Sequence, residues 1–361
     1  MHKSLRLVAG AVLGTFAALT AQTALAQDTA TTTVGGTVIS LGGGFAYLTL
    51  PDTRFTFRYK DSGAGDTISK QENDTFDDFG GGFSGSIATP LGDAFGMPWV
   101  GAFHGYWSSI DNSNRDKCTT ANSSICAAAD IIDQPGPSTV SVAGTLISDT
   151  ARDVDSWGTA FELTTPNPSP VLLPGLFRNT HWGAAFDVRG LDQDLQIHGS
   201  TAGASDLFNY WESLDTTYYG GYLTFGGEYS IFPSLYSGWG LRSFADVHVG
   251  LYDANVDYNG RFAGNGVGPT GLGLSEDNLA VIAGLKFETR KQFSPRTSVS
   301  LLSEYDWYSF VPGMRYNDGD GKANGIVNQT HITDDDAFLE RTSLRLNIGL
   351  GPSQLYVPPM K

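Results

Sequence analysis

Several things are scarce in this chain of 361 residues. It has two cysteines, and its 22 Lys and Arg are outnumbered by 38 Asp and Glu. The shortage of basic residues argues against nucleic acid or an anionic membrane face as a partner. Past the N-terminus no apolar run approaches the roughly 20 residues that a spanning helix needs. Helical periodicity is hard to find anywhere. The two cysteines, Cys118 and Cys126 in "CTTANSSIC", make at most one disulfide, closing a small loop and marking an oxidising compartment.

The N-terminus explains the compartment. Lys3 and Arg6 precede an apolar segment from Leu7 to Leu19, and Ala24, Leu25 and Ala26 stand before Gln27. A short apolar run between a basic start and an A-x-A site is a cleavable secretory signal. Residues 1–26 are therefore read as the signal and 27–361 as one domain. The signal carries two bases and no acid, so the mature 335 residues have a net charge of −18.

Glycine and aromatic residues are abundant, and the recurring pattern has period two. In "NLAVIAGLKFETRKQF", Leu279, Val281, Ala283, Leu285 and Phe287 alternate with a face that carries Lys286, Glu288 and Arg290. Successive side chains of a strand point to opposite sides, so such a strand lies between two different solvents. The same split puts Val299, Leu301, Tyr305, Trp307 and Val311 opposite Glu304, Asp306 and Tyr308. It sets Leu241, Ala245, Val247, Val249 and Leu251 against Arg242, Phe244, Asp246 and His248, and Leu344, Leu346, Ile348 and Leu350 against Ser343, Arg345 and Asn347.

The pattern predicts strands near 36–50, 78–90, 98–110, 154–165, 178–190, 216–231, 239–256, 277–291, 297–311 and 337–350. Their connections are alternately short, such as "LGDAFGM" and "FSPR", and long and rich in Asp, Asn and Gly. A further strand at "TVSVAGTLIS", paired with "CAAADII", makes either a hairpin outside or a twelve-stranded alternative.

This organisation resembles that of Gram-negative outer-membrane β-barrel proteins. The resemblance implies an all-β, transmembrane, antiparallel up-and-down barrel of about ten strands, with short periplasmic turns and long extracellular loops. Lipid offers the backbone no hydrogen-bond partners, so a sheet crosses it only when closed. The expected partners are outer-membrane lipid and the barrel-assembly machinery. Many such proteins end on a C-terminal Phe, whereas this chain continues past Leu350 as "GPSQLYVPPMK". The aromatic residues Trp99, Trp157, Trp182, Tyr219, Tyr229, Trp239, Tyr305 and Trp307 are expected near strand ends or on outer faces, at headgroup level.

The inward charges then line the lumen: Glu228, Arg242, Asp246, His248, Lys286, Glu288, Arg290, Glu304, Asp306, Arg341 and Arg345. Folding each hairpin about its turn sets Glu228 opposite Arg242, Asp246 opposite Lys286 with Glu304 diagonal to them, and Arg341 near Asp306. These residues either rigidify the interior or line a narrow porin-like pore for small solutes.

Catalysis is the contrasting class. Outer-membrane proteases of the omptin kind carry an Asp-x-His pair, which "ADVHVG" presents as Asp246 and His248, so that the imidazole can activate a water. A second acidic pair is also needed there, and "DVD" at Asp153 and Asp155 and "DQD" at Asp192 and Asp194 lack any surrounding likeness to that family. "GFSGS" ends in Ser86, where a nucleophile elbow requires Gly. "NDGDGKANG" lacks the closing acid of a calcium loop. The expectation is a non-enzyme without cofactor or metal, with a passage, structural or surface role. Adhesion or ligand capture by the long loops is a further alternative.

Overall fold

A computed structural model describes residues 36–50, 53–61, 67–74, 78–119, 124–128, 140–143, 145–166, 177–229, 240–264, 267–315 and 331–350. The expected signal at residues 1–26, Trp239, the "NDGDGKANG" segment and the chain after Leu350 lie outside these residues, as do the side chains of Cys118 and Cys126. Among the described residues no helix is long and apolar enough to cross a membrane.

Ten antiparallel strands close a ring. They are β1 (Thr37–Thr49), β4 (Asp78–Ala94), β5 (Met97–Thr119), β8 (Thr145–Pro166), β9 (Phe177–Thr201), β10 (Asp206–Tyr229), β11 (Leu241–Gly264), β12 (Val267–Ser294), β13 (Thr297–Arg315) and β14 (His331–Leu350). Each pairs with the next, and β1 closes on β14. Four shorter strands, β2 (Thr53–Asp61), β3 (Thr67–Asp74), β6 (Ser124–Ala128) and β7 (Val140–Ala143), lie in the two long connections flanking β4–β5; they pair with one another, and β2 also bridges to β13 at Arg54 and Arg315. "CAAADII" and "TVSVAGTLIS" thus contribute the outside hairpin β6–β7, and the ring keeps ten strands.

The periplasmic strand ends fall close to the expected positions, as do the extracellular ends of β1 and β4, but from β5 to β12 the extracellular ends of the ring strands run on by eight to eleven residues. The reason is a reversal of polarity at constant pleat. On β11 the outward positions Leu241, Ala245, Val247, Val249 and Leu251 are apolar, and the next ones are Asp253, Asn255, Asp257, Asn259 and Arg261. The inward positions change the opposite way, from Arg242, Asp246 and His248 to the buried Tyr252, Ala254, Val256, Tyr258 and Phe262. β9 does the same, with Trp182, Ala184, Phe186 and Val188 outward below and Asp192, Asp194 and Gln196 outward above. Below the switch the outside meets lipid; above it both the outside and the loops meet water. The Asp/Asn/Gly texture that suggests a loop is the solvent face of a strand.

At about 3.3 Å per residue and a tilt near 40°, the 24 residues of β11 rise about 60 Å, whereas the apolar band takes about 25 Å. The upper barrel is filled by one apolar cluster that includes Phe208, Tyr210, Leu214, Tyr258, Phe262 and Leu195. Each such side chain contributes roughly 1.5–3 kcal/mol by leaving water.

Val311 is a correction. Strict alternation puts it toward lipid, yet it is 1 % exposed and belongs to the interior cluster. A bulge between Tyr308 and Val311 supplies one extra residue, which reverses the parity and turns Val311 inward. Phe310 to Met314 are all buried, with Tyr218 Oη donating to Phe310 O at 3.1 Å and Gln193 Nε2 to Pro312 O at 3.3 Å. The top of β13 therefore leans into the lumen, at the level of Tyr218 on β10 and Gln193 on β9. Its pairing with β12 stops at Ile282 and Tyr308, and Val281 N donates to Ser309 Oγ at 2.8 Å. Pro269 on the upper part of β12 withholds a donor from that edge, which discourages strand addition.

Candidate functional site: the barrel interior

Every inward charge expected from the sequence faces the interior, but their partners are only partly those of the folded-hairpin scheme. Asp246 stands opposite Lys286, as expected, and Lys286 is directly opposite Glu304 instead of diagonal to it. Glu228 pairs in register with Phe244, two residues from the assumed partner. It nevertheless reaches Arg242, whose Nη2 donates at 2.7 Å. Arg290 folds onto Glu288 at 2.9 Å, and the guanidinium groups of Arg242 and Arg290 lie over the Phe244 ring. That cluster forms the periplasmic floor.

Above the floor the network centres on Asp306, which is 1 % exposed. Its Oδ2 accepts from Arg189 Nη1 at 2.9 Å and from Arg341 Nη2 at 2.7 Å, and His248 Nε2 lies 3.0 Å from Oδ1. Arg189 stands on β9 and Asp306 on β13, so this bond crosses the lumen. Arg189 also donates to Asp187 at 2.6 Å, and Tyr252 Oη donates to Asp187 at 2.8 Å. His181 Nε2 is 2.9 Å from Asp246 Oδ1, and Tyr222 Oη donates to Glu162 at 2.9 Å. The Arg341 guanidinium sits 3.5 Å over the Tyr106 ring, and Arg345 packs on Gly42. Between these groups lies a cavity of only about 80 Å³.

The alternation also held residues of this network that a search for charged strands overlooks. In "HWGAAFDVRG", His181, Asp187 and Arg189 share the parity opposite Trp182, Phe186 and Val188, and Glu162 lies between Phe161 and Leu163. The signal was present on β8 and β9 but interrupted by Gly and Ala.

The omptin-like arrangement is not assembled here. Asp246 and His248 are engaged inside the barrel, while Asp153, Asp155, Asp192 and Asp194 lie on the outer face above the apolar band. Across neighbouring strands those acids form rows. Asp155 pairs with Asp192, which pairs with Asp215, which pairs with Asp257; one step higher Asp111, Asp153 and Asp194 are aligned. Burial, then the charge of Asp215, pushes the Asp192 carboxyl up to about 6. Burial and Asp111 raise Asp153.

A raised acid binds its proton more tightly folded than unfolded, so its effect on stability is lost as pH rises from about 4 through 6. Asp192→Asn is therefore expected to stabilise the barrel at pH 7 by about 1–3 kcal/mol and to flatten this dependence. Urea midpoints between pH 4 and 8 measure it, and parallel curves for both proteins would contradict it.

The outer aromatic residues decide the environment. Trp182, Tyr219 and Tyr305 are exposed on the outward face, Trp99 meets Trp182 at 5.9 Å, and Tyr229 meets Phe287 at 6.4 Å. Trp157 lies on Gly190 near the upper edge, and Trp307 Nε1 donates to Asp336 at 3.0 Å. Amphipathic rings thus border the band of Phe, Leu and Val that lacks any protein cover. The fold is that of an outer-membrane β-barrel. Such barrels sit in the outer membrane of Gram-negative bacteria, in contact with its lipid.

No protein-family model matches the sequence, and a search of curated proteins finds no relative. Solved structures of similar fold are outer-membrane barrels. The outer membrane protease OmpT from Escherichia coli is 7% identical with a TM-score of 0.44, over 88% of this chain and 98% of that one. A Pseudomonas aeruginosa FadL homologue is 7% identical with a TM-score of 0.24, over 86% and 90%. The Pseudomonas putida toluene transporter TodX is 10% identical with a TM-score of 0.25, over 86% and 89%. These likenesses concern the fold alone.

Proposed function

We propose that this outer-membrane barrel is a closed, non-enzymatic surface protein, whose tall rim holds the extracellular loops away from the membrane for contact with external ligands. The observation that carries this is the course of β13: Phe310 to Met314 turn into the lumen and are buried there, bonded to Tyr218 of β10 and Gln193 of β9. Beneath them the lumen is occupied by the Arg189–Asp306–Arg341 bonds, leaving about 80 Å³. A solute passing through would have to break both layers. The engagement of Asp246 and His248 with His181 and Asp306 supports the absence of hydrolytic chemistry. Rigid scaffolds carrying long loops are a common basis for binding.

Planar-bilayer recording tests this. Purified protein is expected to give no steady conductance, and Lys286→Gln with Arg242→Gln is expected to give none either. A stable ohmic channel, made more cation-selective by those two substitutions, would establish the porin-like alternative.

A further inference from the structure

The turn between β4 and β5 has a side chain that its backbone disfavours. Phe95 has φ 56° and Gly96 φ 74°, the two consecutive left-handed residues of a type I′ turn, whose first position favours Asn, Asp or Gly. A bulky residue in that conformation is an outlier, and such outliers persist where something requires them. The Phe95 ring is also 95% exposed, so nothing within the described protein rewards it.

The surroundings identify what does. Leu91 lies at a register shift between Pro90 and Gly92, and its side chain covers Gly101 on the outward wall, 3.1–3.5 Å from where a Cβ would stand. Trp99, whose ring meets Trp182 on the same outer face, donates its indole N–H to Ala94 O at 3.1 Å. The residue before Phe95 is therefore hydrogen-bonded to an indole of the aromatic border, and the turn is folded onto the lipid-facing surface. Leu91 lies on that surface, and Phe95 stands fully exposed at the tip that follows it.

We infer that the β4–β5 turn is a membrane anchor, with Phe95 and Leu91 embedded at the headgroup–acyl boundary of the periplasmic leaflet. A lone strand-end aromatic would need no such backbone. Here the ring stands at the tip, where it is the first part of the hairpin to meet lipid beyond the wall.

Nitroxide labels test the depth directly, in phosphatidylethanolamine–phosphatidylglycerol vesicles, with Cys118 and Cys126 replaced by Ser. A label at Phe95→Cys is expected to be relaxed by oxygen and shielded from a nickel chelate, as at Leu285→Cys. A label at Ala204→Cys, on the opposite tip, should show the reverse. Water-like accessibility at position 95 would overturn the anchor and point to a periplasmic protein or to no partner. Because Asn-Gly suits the turn better, Phe95→Asn supplies a second readout. The anchor predicts a lower urea midpoint in vesicles despite the relieved backbone, whereas a raised midpoint would also overturn it.

Discussion

Replacing Asp306 with Asn is expected to destabilise the folded barrel by about 3–5 kcal/mol, the largest effect of any single interior substitution considered. The shape of the side chain is kept, but the charge that Arg189, Arg341 and His248 share disappears. Removing one partner of a buried pair costs more than the pair itself contributes, because the remaining charge is left without compensation. The urea midpoint in vesicles should fall accordingly. Adding Arg341→Gln should restore part of the loss, since one guanidinium then no longer needs a carboxylate. An unchanged midpoint for Asp306→Asn would mean that the lumen at this level is hydrated and open, contrary to the proposed closed interior.

The second large effect concerns facing on β12. Leu285 is exposed on the outward side, and its neighbour Lys286 lines the interior cavity. Leu285→Arg puts a charge toward lipid at a cost of about 2–4 kcal/mol if it lies near the bilayer midplane. Lys286→Leu leaves insertion intact and disturbs only the interior pairing with Asp246 and Glu304. Heat-dependent gel mobility separates folded from unfolded protein for both variants. Reversed effects on assembly would require the strand to be turned over.

Much of this was legible because period-two alternation records which side each residue faces, whatever the two sides contain. β11 and β12 declare their lipid and interior faces over Leu241 to Leu251 and Leu279 to Arg290. What the sequence concealed was the exchange of solvents partway along a strand. Asp253, Asn255, Asp257 and Asn259 look like loop residues because polar side chains then face outward, while Tyr252, Val256 and Tyr258 look like ordinary interruptions. Period two continues through that stretch, so the strand was readable and its surroundings were not. Val311 failed for another reason: a bulge inserts one residue without any local composition to announce it. The ion pairs fell between these cases. Facing is fixed by parity, but partner choice depends on register, and a shift of two residues changes partners without turning any side chain around. Arg242 still finds Glu228 because its long side chain spans the difference.

The change of solvents on β11 is the feature on which the tall, closed barrel depends, and single-cysteine labelling along that strand measures it most directly. With Cys118 and Cys126 replaced by Ser and the protein folded into vesicles, cysteines at Val247, Val249 and Leu251 should resist a water-soluble maleimide because lipid covers them. Cysteines at Asp253, Asn255, Asp257 and Asn259 should react readily, and those at Ala254 and Val256 should resist because the apolar interior covers them. Protection of the whole odd-numbered series through Asn259, or reaction at Ala254 and Val256, would contradict the account.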